Sequence, residues 1–315
     1  MGGHGSPYGF AGDGILSRAE EVELMYYYSV HTYETIEAEP KMKRWQQQML
    51  PPIAIQNDFL LDAVFSFTCL HLAALRPDKA LKYCEAGMQY RDRALSRLQI
   101  TLVEPSPEQC FAMFHTSVFV GLFSFALPQV HPETKDASVV QLFIELANLW
   151  RGSGTIIELS KEMLGEAQYN ANFEVMPSIR DTAANEGTEA NHALKRLEKM
   201  ANDLPPDRNK EPYLQALGAL TIGYEAHAVD GTHNDMLAFT TKCGKDFYPL
   251  VVANDPLARL IMVCYAVLLD RIDAYWWARG VGQRLAKELS QTAVPLDEDG
   301  QAMWAWAMQR VRLTG

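Results

Sequence analysis

Apolar positions in this chain recur at helical spacing and almost nowhere at alternating spacing. The run NDFLLDAVFSFTCLHLAAL from Asn57 is apolar nearly all the way round, as expected of a helix in the middle of a bundle rather than on its surface. Asn57 or Asp58 suits the start as a cap, and the Arg76-Pro77 step ends it. Asp78 then opens a helix with one stripe: Leu81, Cys84 or Glu85, Met88, Ala94 or Leu95, Leu98. The short turn between the two predicts an antiparallel pair. Upstream, Ser17-Arg18-Ala19-Glu20 matches a capping box. The helix it opens is predicted to run to about Glu37, with Val22, Met25, Tyr26, Ser29, Val30, Tyr33 and Ile36 as its inner stripe.

Downstream, Ser106 and Pro107 predict a helix start, and the segment from Glu108 to about Leu127 is again apolar almost throughout. Pro128 and Pro132 predict a loop, Ser138 to Trp150 a helix, and Arg151-Gly152-Ser153-Gly154-Thr155 a turn. The pattern weakens from Gly165 to Asn191. Helices are then expected at about 189–202, Glu211 to Val229, Asp235 to Cys243, Phe247 to Ala253 and Pro256 to Tyr275. No long period-two run occurs. The reading is all-α: one irregular bundle of about ten to thirteen helices over residues 17–315, preceded by a flexible leader at 1–16, with a soft connector near 165–190.

Composition narrows the function classes. Apolar residues make up 48% of 315, enough for a large core, and the net charge is −11. An acidic chain lacks the clustered Lys and Arg that neutralise phosphates, so direct nucleic-acid binding is not expected. The opening MGGHGSPYGFAGDG has no secretory pattern, and no run of eighteen apolar residues points to a membrane span. Cys69, Cys84, Cys110, Cys243 and Cys264 include no C-x-x-C pair. They are expected to be reduced and buried, which fits an intracellular protein of nucleus or cytoplasm.

Motif chemistry is sparse. There is no G-x-S-x-G elbow, no H-E-x-x-H, and no phosphate-binding glycine pattern around Gly152 and Gly154. Asp270 and Asp273 have a spacing that holds Mg²⁺ on some helix faces, but the further acidic box that such sites use is missing. No cofactor and no metal are predicted. What stands out is aromatic surplus. Phe114, Phe119, Phe123, Tyr224, Tyr265 and Trp304 are the candidate lining of an apolar pocket. His115, mid-helix among phenylalanines, and His227, at the end of the helix carrying Tyr224, are the candidate polar anchors for a ligand hydroxyl or carbonyl.

Several segments resemble one family. Phe67-Thr68-Cys69-Leu70-His71-Leu72-Ala73, with Pro77, Tyr83, Tyr90 and Ala94-Leu95 after it, is similar to a block of the fungal zinc-cluster transcription factors. So are ELMYYYSVHTYETI, Trp45 through Pro51-Pro52, VVQLFIELANLWRGSGTIIE, ARLIMVCYAVLLDRIDAYWWARGVGQRL and the tail around Trp304 and Trp306. The likeness runs from about residue 20 to 312 and is closest to the C-terminal regulatory half of the sterol uptake control proteins. It implies a ligand-sensing regulatory domain whose partner is a sterol or terpenoid-like molecule. The six-cysteine DNA-binding cluster of that family is not in this chain. The alternative is a stand-alone enzyme of fungal secondary metabolism that uses the same cavity for acid/base isomerisation or cyclisation. An interaction scaffold is the third class, and a homodimer is left open.

Overall fold

The computed structural model describes residues 15–37, 39–165, 189–229 and 233–311. Most of the expected leader, most of the expected connector and Asp230 lie outside them, and Leu16, within the expected leader, is buried in the core. The described residues form fourteen α-helices and no strand, as the periodicity predicts.

The first seven helices are α1 (Arg18–Val30), α2 (Pro40–Gln48), α3 (Leu50–Gln56), α4 (Asp58–Leu75), α5 (Ala80–Thr101), α6 (Cys110–Val130) and α7 (Val139–Leu164). The second seven are α8 (Glu189–Asn202), α9 (Glu211–Val229), α10 (His233–Lys242), α11 (Phe247–Val252), α12 (Pro256–Leu269), α13 (Val281–Ser290) and α14 (Glu298–Arg310). The antiparallel pair α4–α5 packs on α6, α6 packs on α7, and α12 is the centre of the second half, against α9, α11, α13 and α14. One continuous apolar core joins both halves.

Helix α4 is buried on all sides from Phe59 to Ala73 apart from Leu61, which is partly buried. Its one acidic core residue, Asp62, accepts a two-pronged contact from Arg93 at 2.7 and 2.9 Å and a third bond from Arg97 at 2.8 Å. Both α4 and the segment Pro107–Val130 are long and apolar enough to cross a membrane by length and composition, and the bundle buries 78% and 72% of them. Their apolar surface is therefore spent on core packing, as in the central helix of a globular bundle.

Several boundaries differ from the sequence reading, each for a local reason. The capping box at Ser17 forms, but α1 ends at Val30, and a 3-10 turn, Thr32–Thr35, follows. Leu24 and Tyr28 face the core; of the expected stripe, Tyr33 and Ile36 are buried beyond the helix end and Met25 and Ser29 partly buried, whereas Val22, Tyr26 and Val30 point outward. Helix α5 buries Cys84, Ala94 and Leu98 as expected, adds Tyr83, Ala86, Gly87 and Tyr90, and leaves Leu81 in solvent. Gly87 sets that phase: a Cβ there would stand 3.1 Å from the Ser66 carbonyl oxygen and 3.2 Å from Cys69 Cβ, so α4 and α5 approach only with glycine inside.

Pro128 lies within α6 rather than in a loop. It removes one ladder donor near the helix end, while the buried Phe125 and Ala126 hold that turn on the core. The expected turn at Arg151–Thr155 is helix, because the buried Leu146, Ala147, Ile156 and Ser160 continue one inner face across it. Burial on both sides outweighs the cost of two helical glycines, about 1 kcal/mol each. Helix α12 ends at Leu269, not Tyr275. The chain turns back there through two 3-10 turns, and Asp273 Oδ1 accepts from the Gly280 amide at 2.5 Å, where Gly280 has φ +69°.

Candidate functional site

His115 projects from α6 into a ring of aromatics. Trp45, from α2, stacks on the imidazole with centroids 4.8 Å apart and planes 23° from parallel. Phe111 lies 4.2 Å away, one turn earlier on the same helix, and Phe114 meets the ring edge-on at 5.3 Å. The residue is 5% exposed, and neither ring nitrogen has a protein hydrogen-bond partner among the described residues. Burial alone pushes its pKa down to about 3, so the ring is neutral at physiological pH. A neutral imidazole carries one donor and one acceptor in either tautomer. Here both are uncommitted, which costs roughly 1–3 kcal/mol per buried group. The hydroxyls beside it are satisfied: Ser117 Oγ donates to the Phe114 carbonyl at 2.6 Å, and Thr116 Oγ1 to that of Ala112 at 2.8 Å.

The other expected site residues do not gather round His115. Phe119 packs edge-on against Tyr28 and Phe67, in the seam of α1, α4 and α6. Phe123 lies under the Arg91 guanidinium at 5.0 Å, against α5. Tyr224 lies between α9 and α12, where its hydroxyl donates to the Cys264 carbonyl at 2.8 Å, and Tyr265 faces Phe143 of α7 at 5.3 Å. Tyr265 stacks on Phe239 at 4.1 Å, and its hydroxyl is 3.4 Å from Thr240 Oγ1. Burial raises both phenol pKa values, so each stays protonated. Trp304 is half-buried and lines an open groove of about 340 Å³ with Thr292, Val294, Leu296 and Gln301. The side chain of His227 lies outside the described residues.

A second buried histidine was read from the sequence only as part of a family block. His71 of α4 is 7% exposed and stacks on Trp276 at 5.2 Å, 17° from parallel. Its Nδ1 is 2.9 Å from Thr32 Oγ1. Thr35 Oγ1 donates to the Thr32 carbonyl at 2.8 Å and accepts from Trp276 Nε1 at 3.0 Å, while Trp277 Nε1 donates to the Thr35 carbonyl at 3.0 Å. Three segments that the sequence singled out separately, HTYET, the FTCLHLA block and YWWARG, thus close on one another. Burial, and then the charge of His31, lowers the His71 pKa to about 4.

The five cysteines are free and buried. Burial raises the pKa of Cys69, Cys84, Cys243 and Cys264, which keeps those thiols protonated and unreactive. No group of three or more His, Cys, Asp and Glu side chains suited to a metal ion occurs among the described residues. Asp270 accepts from Gln283 Nε2 at 3.5 Å and Asp273 from the Gly280 amide.

No family model matches the chain. In sequence it is similar to a Zn(2)-C6 fungal-type transcription factor of Gibberella zeae, 26% identical over 305 residues. The alignment covers 91% of this chain, and the chain spans 60% of the length of that relative. This homologue supports the family of fungal zinc-cluster transcription factors and does not distinguish the sterol uptake subtype within it.

Proposed function

We propose that this chain is a regulatory domain of the zinc-cluster type, which senses an uncharged apolar small molecule, sterol or terpenoid-like, and holds its polar group at His115. The observation that carries the reading is the pair of uncommitted nitrogens on a deeply buried imidazole. The likeness to a fungal transcription factor supports the regulatory role and an intracellular, nuclear setting. A hydroxyl donates and accepts at once and so matches a neutral imidazole. A carboxylate or phosphate does not, because among the described residues no charged group acts on the ring to offset its desolvation. The rings of Trp45, Phe111 and Phe114 supply no second proton-transfer group, so no observation favours the enzyme reading.

The test is mass spectrometry of the organic extract of protein purified under native conditions, followed by titration of apo protein with a panel of sterols and terpenols. A co-purifying or titrating alcohol or ketone, bound by the parent and lost in a folded His115→Phe variant, is the expected result. Binding unchanged in that variant, or no binding across the panel, overturns the reading.

A further inference from the structure

Helix α1 carries two apolar faces, and the described residues bury only one of them. Leu24 and Tyr28 are 1% and 0% exposed, while Val22, Tyr26 and Val30 are 64%, 62% and 38% exposed on the other side. Those three residues are spaced by four, and the series extends by the same step to Arg18 at one end and Glu34 at the other, both exposed. Arg18 continues the ridge within α1, and Glu34 stands past its other end, on the 3-10 turn that follows the helix end at Val30. Rotated by half a turn about Tyr26 the ridge meets itself: Val22 faces Val30, and Arg18 faces Glu34.

We propose that α1 pairs antiparallel with α1 of a second copy of this chain, through a twofold ridge of Val22, Tyr26 and Val30 closed at both ends by Arg18–Glu34 ion pairs. A closed two-copy assembly needs a surface complementary to itself, in which residue i meets j and j meets i. This ridge has that property in both shape class and charge. Rows of residues spaced by four pack into one another at a crossing of about 50°, the commonest helix–helix class. The acidic Glu34 sits on the 3-10 turn after α1 and already accepts from the Tyr33 hydroxyl at 3.1 Å, which fixes its carboxylate. The ridge lies apart from His115, so the proposal does not depend on the ligand reading. One helix face is smaller than the ~800 Å² per partner of a standard stable interface. The dimer is therefore concentration-dependent.

Sedimentation equilibrium of the full chain over a concentration series tests this. The parent should shift from monomer to dimer as concentration rises. Tyr26→Glu, which sets two carboxylates face to face on the axis, should abolish the dimer, with helicity by circular dichroism unchanged. Arg18→Glu and Glu34→Arg should each weaken it, and the double variant R18E/E34R should restore it. Val103→Glu, at an equally open apolar position on the turn after α5, should leave it unaltered. A parent that stays monomeric at every concentration overturns the proposal, and so does a dimer indifferent to Tyr26→Glu. A dimer that Tyr26→Glu abolishes but the double reversal does not restore overturns the twofold register.

Discussion

His71 and His115 sit in matching surroundings and have opposite fates. Each lies on a helix that is apolar nearly all round, each is over nine-tenths buried, and each has a tryptophan stacked on its ring. Burial depresses both pKa values. The difference is in hydrogen bonds. His71 is tied to Thr32, and its tryptophan is tied to Thr35, so the cluster locks the turn after α1 onto α4 and the 276–278 turn. His115 has the stacking and none of the bonds. Burial disfavours the charged ring in both places, more strongly at His115, and of the two only His71 gains a hydrogen bond within the protein in return. A buried polar group that recovers nothing marks a place where something outside the chain can. The contrast separates a structural histidine from a receptive one.

The sharpest way to break this contrast is to remove each tryptophan. Trp276→Ala deletes a half-buried ring, its stack on His71 and Phe67, and the donor to Thr35. It is expected to cost about 3–5 kcal/mol in urea unfolding. Trp45→Ala, which strips a ring from a surface helix, should cost on the order of 2 kcal/mol. It should also open His115 to diethyl pyrocarbonate, read by mass mapping of the modified peptide. Equal costs, or a His115 that stays unreactive, would mean that Trp45 is not the cover of this site.

The bundle itself was legible because burial leaves a periodic mark. The apolar runs of α4 and α6 and the capping box at Ser17 follow from local chemistry. Which of two apolar faces turns inward was not legible. Helix α1 offers Val22-Tyr26-Val30 or Leu24-Tyr28, and only packing against α4 and α2 decides between them. Glycines misled for a related reason: Gly152 and Gly154 read as a turn, but the ends of α7 are both pinned in the core. The candidate site was half visible. His115 stood out as a polar residue among phenylalanines, whereas its cover, Trp45, belongs to a connector some seventy residues earlier and no local signal joins them. The dispersal of Phe119, Phe123, Tyr224 and Tyr265 into separate seams has the same origin, since aromatic surplus gives no account of which ring meets which.

Substitution of the two histidines themselves gives the next largest effect. His71→Phe keeps the ring but leaves Thr32 Oγ1 buried without its partner, so it should destabilise by roughly 1–3 kcal/mol. His115→Phe removes two unpartnered polar atoms from an aromatic cage of similar shape. It should be near neutral or slightly stabilising in the absence of ligand. Chemical denaturation of both variants at neutral pH checks this. A His115→Phe variant destabilised as much as His71→Phe would show that the imidazole is bonded within the fold after all.

Acid titration is the mildest probe, and the sign follows from which state holds the proton. A histidine whose folded pKa is depressed stays neutral in the native protein while the unfolded chain, near the ordinary 6.5, takes up a proton. Acid therefore favours unfolding. The stability that each ring lends is complete above about pH 6.5 and declines as pH falls. It levels off only where the folded ring protonates, at about 4 for His71 and about 3 for His115. From pH 6.5 to 5.5 each histidine should account for a loss of roughly 1 kcal/mol. Carboxylates add to the slope at lower pH, so the informative quantity is the difference between parent and variant. Denaturant midpoints of parent and His115→Phe should diverge steadily through that window, with the variant falling less. Parallel curves would mean that His115 titrates alike in both states, and its burial as a neutral ring would have to be abandoned.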